Sequence, residues 1–149
     1  MDKNLSFQDP NDLVDLAGYL KRALRLDSTG AVRLRAFGSV LAAYVSPIYA
    51  GSLLGDGLTV IGLRTINLTS QNELDSLFTI EALLASVEKS IESGELVLVL
   101  PKTAARVGWA GISPPRQGWV RAGEVEQEKI SAWAKDGIAA VAEALPESI

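Results

Sequence analysis

Trp109, Pro114, Pro115, Arg116, Trp119 and Arg121 all fall inside the stretch VGWAGISPPRQGWVRA, which contains no acid. Those residue types do contact chemistry. Indoles and guanidinium groups are the side chains most enriched where proteins grip one another. An indole beside an arginine can also hold a planar or cationic group. The Pro114-Pro115 pair favours an extended, polyproline-like backbone that loses little entropy when held. Glycine precedes each indole, at Gly108 and Gly118, so the chain can turn where a large ring must point aside. The stretch is expected to be ordered yet neither helix nor strand. Two roles compete for the rings: anchors folded back on the core, or an exposed aromatic and arginine surface. The packed role is the commoner one for large aromatics.

Charge supplies a second group of candidates. The chain is acidic overall, at −4, but the charge is blocked. Residues 21–35 hold Lys21, Arg22, Arg25, Arg33 and Arg35 against Asp27 alone, and residues 102–123 hold Lys102, Arg106, Arg116 and Arg121 with no acid. If Arg33 and Arg35 met the tryptophan stretch in space, the two would form a positive, aromatic patch suited to an acidic or phosphate-bearing partner. The plainer expectation is that the first block marks a helix end and a wet strand face, and that the second pairs with the acids of the last helix. The acidic whole and the lack of a recognised motif weigh against nucleic acid.

Bond-making chemistry has little to work with. The chain has no histidine and no cysteine, which removes the usual general base, thiolate catalysis, disulfides and the common zinc ligands. The candidate carboxylates are Asp56 in a Gly-Asp-Gly turn, Asp75, Glu81 and Glu124. Gly-Asp-Gly is ordinary turn chemistry, and no phosphate loop, dinucleotide fingerprint, nucleophile elbow or calcium loop occurs. No catalytic residue, metal ligand or cofactor is assigned.

The elements that must carry these residues can be read from periodicity. Asp9 can cap a helix over Pro10–Leu26 whose stripe is Leu13, Leu16, Ala17, Leu20, Ala23 and Leu24. Residues 31–37 alternate as a half-wet strand, and a turn is expected at Gly38-Ser39. Residues 40–45 and 58–68 read as two more strands, with Gly62 marking a bulge or a close approach. A polar loop over 69–76, a short strand over 77–80, a helix over 81–93 and a strand over 95–100 follow. A last helix runs over 126–145 with Ile130, Ala134, Ile138, Val141 and Leu145 on one stripe. The order α-β-β-β-(β)-α-β-loop-α predicts an α+β fold: a mostly antiparallel sheet of four to five strands with helices packed on it, as one domain over residues 1–149.

The uncharged run from Ala36 to Gly55 is interrupted by Gly38, Ser39, Ser46, Pro47, Gly51 and Ser52, so buried strands fit it better than a membrane span. With a polar N-terminus and no cysteine, the expected setting is the cytoplasm.

LVDLAGYLKRALRLDSTGAVRLRA (13–36), VIGLRTINL (60–68) and GWAGISPPRQGWVRAGEV (108–125) together resemble a set of actinobacterial proteins of unknown function. The resemblance implies a similar N-terminal helix, an arginine-rich first strand and a Gly-Trp, Pro-Pro, Gly-Trp loop. It implies no activity and no site residue.

The leading expectation is a non-enzymatic binding module, binding another protein or itself as a homodimer. It would act through Trp109, Pro114, Pro115, Arg116, Trp119 and Arg121 with Arg33 and Arg35. The alternatives are a small-molecule or cofactor-assisted enzyme with a carboxylate and arginine pocket, and a binder of a phosphate ligand or nucleic acid.

Overall fold

The structure, a computed structural model, describes residues 3–48, 59–102, 104–111, 114–115 and 117–144. Its elements are β1 (Asn4–Ser6), α1 (Pro10–Leu26), β2 (Ala31–Ile48), β3 (Val60–Thr79), α2 (Ile80–Ser93), β4 (Val97–Val99), a 3-10 turn (Gly108–Gly111) and α3 (Gln127–Ala144). The fold is α+β, with four strands in two antiparallel pairs, β1–β4 and β2–β3. A single four-to-five-strand sheet is therefore not what forms. The isolated bridge Phe7↔Leu68 is the link between the pairs.

The larger correction concerns β2 and β3. The turn expected at Gly38-Ser39 is a bulge inside one long strand. Gly38 takes φ +62°, a left-handed conformation open to glycine. Across it β2 advances from Gly38 to Val40 while its partner moves from Asn72 to Asn67. The extra residues lie on β3, where the expected polar loop 69–76 continues the strand. Polar residues are tolerated there because that stretch has a wet face, and strand pairing needs only backbone groups. The result is a long two-stranded ribbon, paired from Ala31↔Thr79 to Ile48↔Val60 with a second register shift between Val45 and Ile48.

α1 starts where the sequence places its cap, and α2 starts at Ile80, one residue earlier than expected, with Thr79 as a cap at the end of β3 in place of the expected short strand over 77–80. Asp9 accepts from the Asn11 N–H at 2.8 Å, and Thr79 accepts from the Ala82 N–H at 3.2 Å. Gly94 closes α2 at φ +72°. α1 and α2 lie on the same face of the ribbon and bury Leu13, Leu16, Leu20, Leu83 and Val87 against Val32, Leu34, Leu41 and Leu68. Each such side chain contributes about 1.5–3 kcal/mol relative to exposure. β1, which the sequence did not suggest, sends Leu5 into the same core, and Phe7 follows from just beyond it. The strand expected over 95–100 shortens to β4.

Gly62 marks a close approach. A Cβ there would stand 3.2 Å from the Tyr19 hydroxyl, which donates to the Ala43 carbonyl at 3.1 Å. Arg64 and Asp15 at 2.9 Å, and Lys21 and Glu88 at 3.0 Å, tie α1 to β3 and to α2. Among the described residues no helix is long and apolar enough to cross a membrane. The uncharged run forms the second half of β2 as far as Ile48; its remainder and Asp56 lie outside the described residues.

Candidate functional site

The helices cover one face of the ribbon and leave the other bare. On β2 the outward positions are Arg33, Arg35, Phe37 and, past the bulge, Val40, Ala42 and Tyr44. Opposite them on β3 stand Leu77, Asp75, Glu73, Asn67, Thr65 and Leu63. Alternation alone fixes this division, since successive side chains point to opposite faces.

The tryptophan stretch meets one end of this face. The Ala105 N–H donates to the Leu77 carbonyl at 3.0 Å, and the chain then passes from β3 to the arginines of β2. Arg33 sits on Asp75 through Nε and Nη2, both at 2.8 Å, and its Nη1 donates to the Ala110 carbonyl at 2.6 Å. Hydrogen bonding to Asp75 raises the Arg33 pKa further above its ordinary value. Arg35 Nη1 donates to the Pro114 carbonyl at 2.9 Å. So the two basic segments do meet, though through arginine side chains and backbone carbonyls. Arg33 and Arg35 clamp the crossing segment, and the Asp75 carboxylate offsets part of their charge.

The other anticipated residues divide. Trp109 is half-buried in the 3-10 turn, beside the buried Ala110. Pro114 and Pro115 are exposed. Trp119 is 70% exposed. Its indole donates to the Pro115 carbonyl at 2.7 Å, closing a local turn in which Gly118 takes φ +82°. The anchoring role therefore fails for Trp119. Arg121 pairs with Glu124 on the surface, an acid that precedes α3 and not one of the helix itself. Arg116 lies outside the described residues.

Beyond the clamp, Arg35, Phe37, Val40, Ala42 and Tyr44 line a groove of about 320 Å³ whose rim is Pro114 and Pro115. Phe37 is 49% exposed and Val40 43%. Leu63 and Ile61 extend the apolar surface on β3, each more than half exposed. Arg35 Nε lies in the groove wall, buried and without a hydrogen-bond partner, 3.8 Å from the Asp75 carboxylate. An unmet buried donor of this kind costs about 1–3 kcal/mol. Sequence reasoning passed over Phe37, Val40 and Tyr44. The available signal was their parity with Arg33 and Arg35, which places all of them on one face once the Gly38 bulge is allowed for.

A second cavity of about 440 Å³ is lined by Lys3, Leu74, Ser76, Leu77, Phe78, Leu100, Pro101, Lys102 and Ala104. Neither of these two cavities is lined by a carboxylate; a further one of about 400 Å³ is, with Glu95 beside Lys89 and Lys102. No cluster of metal-ligating side chains occurs among the described residues.

α3 stands clear of this body. Of its described side chains Val141 alone is even half-buried, while Ile130, Trp133 and Ile138 are exposed.

Residues 1–111 match a family described as a domain of unknown function, DUF8010, and the chain belongs to that family. The match takes in the ribbon, both packed helices and the Arg33–Ala110 clamp; the proline rim and α3 follow it in sequence. No curated protein and no solved structure matches the chain.

Proposed function

We propose that this DUF8010 family member is a non-enzymatic protein-interaction module whose contact surface is the outer face of the β2–β3 ribbon with its proline rim. The observation that carries the reading is the groove floored by Phe37, Val40, Ala42 and Tyr44 and rimmed by Pro114 and Pro115. Apolar side chains lie there in a row on a rigid strand pair, where burial by a partner is favourable. Arg35 places a positive charge at one end of the groove, which would fix the direction of a partner bearing an acid. Trp109 and the Arg33 clamp hold the rim in place, and Trp119, Arg116 and Arg121 extend the contact from the connecting segment. A cytoplasmic setting and kinship with the actinobacterial set go with this reading.

A photo-crosslinking side chain placed at Val40 tests it in cells. Covalent protein adducts are expected at Val40 and are expected to disappear when Phe37→Asp is added. The same probe at Val14, an equally exposed position on α1, should capture far less. Equal capture at the two positions would remove the groove as the contact surface.

A further inference from the structure

Resting on that reading, we infer that the groove's occupant is α3 of a second copy of this chain, exchanged reciprocally in a two-fold dimer. α3 is amphipathic. Ile130, Trp133, Ala134, Ile138 and Val141 share one side, while Glu128, Lys129, Lys135, Asp136 and Glu143 lie around the other. A lone helix of this length is marginal in water, so its apolar stripe calls for a cover. The chain also holds a bare apolar strand face, and α3 stands clear of that face in its own chain. A second copy supplies the missing half to each: both helices and both grooves are covered at once, as an isologous contact requires.

The two surfaces also agree in pattern. Along β2 the groove runs from the cationic Arg35 to the apolar Phe37, Val40 and Tyr44. Along α3 the stripe runs from Glu126, one turn before Ile130, to the apolar Trp133, Ile138 and Val141. Docked with Glu126 beside Arg35, the carboxylate meets a cationic guanidinium at one end of the groove and the apolar residues follow along it. The dimensions fit: Ile130 to Val141 spans about 17 Å of helix, and Phe37 to Tyr44 about 23 Å of strand. Covering Ile130, Trp133, Ile138 and Val141 removes roughly 500 Å² of helix surface from water, with the indole supplying the largest share. Two reciprocal contacts, counted on both partners, bury roughly 2,000 Å², within the range of stable dimers.

The absence of native cysteine makes the test clean. Chains carrying Val40→Cys and chains carrying Ala134→Cys are mixed and treated with a short bismaleimide. The expected product is a mixed crosslinked dimer, with sedimentation giving twice 15.8 kDa. Trp133→Asp on the helix and Phe37→Asp on the ribbon are each expected to weaken self-association by about tenfold or more. Glu126→Arg should weaken it too, and Arg35→Glu in the same chain should restore it. A monomer at ~100 µM, or a crosslink only when both cysteines are on one chain, would overturn the exchange. If such a monomer still yields adducts to other proteins from the Val40 probe, the groove stands and only its occupant is wrong. A dimer indifferent to Phe37→Asp, with no capture at Val40, would sink both.

Discussion

Arg33 and Asp75 face each other diagonally across the ribbon as a two-pronged pair, at 2.8 Å on each prong, and the arginine's third nitrogen holds the Ala110 carbonyl at 2.6 Å. One guanidinium thus joins β2, β3 and the tryptophan stretch. Lysine cannot replace it, because an ammonium is a single point without the planar fork. Arg33→Lys is expected to lower stability by about 1–2 kcal/mol, toward the lower end for charged hydrogen bonds because Asp75 is partly exposed. It should also free the segment after Lys102, so that trypsin cleaves at Arg106 several-fold faster under native conditions. Cleavage at the wild-type rate would show that the arginine does not restrain the segment.

The two indoles are expected to behave differently. Trp119 is mostly exposed and its one hydrogen bond is local, so Trp119→Ala should change stability by less than ~0.5 kcal/mol. Trp109 is half-buried beside the clamp, so Trp109→Ala should cost about 1–2 kcal/mol, below the range for a fully buried ring. Urea midpoints measured side by side decide this, and a larger loss for Trp119 would restore it to the core.

α1 was legible from its start, Asp9 with Pro10, and α2 from its stop, Gly94. The core was legible from the same stripes. The ribbon was only half legible. Gly38 signals a reversal and a bulge equally well, and the choice depends on the partner strand around Asn67 and Asn72, which local pattern does not contain. The polar run 69–76 looks like a loop because one face of it is wet. β1 is too short to show a period. At the site, the residue types in the tryptophan stretch pointed to the right end of the ribbon, yet the groove floor went unnoticed. Phe37, Val40 and Tyr44 read as core until the helices are seen to occupy the opposite face.

The bulge makes a direct prediction. Gly38 sits at φ +62°, with the Gln71 side chain 3.1 Å from where a Cβ would stand. Gly38→Ala is expected to cost about 1–2 kcal/mol for the left-handed backbone. Gly38→Val should cost more, since a β-branched side chain tolerates that region worst. Thermal or urea unfolding measures both. Two wild-type values would mean that the strand does not bulge at Gly38 in solution.

Tyr19 gives the fold a pH limit. Burial, the largest influence, pushes its phenol from an ordinary value of 10.0 up to about 12, and its hydroxyl donates to the Ala43 carbonyl, which a phenolate cannot do. The folded protein therefore holds this proton more tightly than the unfolded chain. The contribution is fully present below pH 10 and is lost as pH rises through about 12, because the unfolded chain ionises first. Tyr19→Phe should lower stability modestly at neutral pH, by about 1 kcal/mol for the lost hydrogen bond, and flatten the alkaline decline. Denaturant midpoints at pH 8, 10 and 11.5 for both proteins make the comparison, with lysine titration common to the two. Parallel curves would place the alkaline sensitivity elsewhere and leave Tyr19 as packing over Gly62 alone.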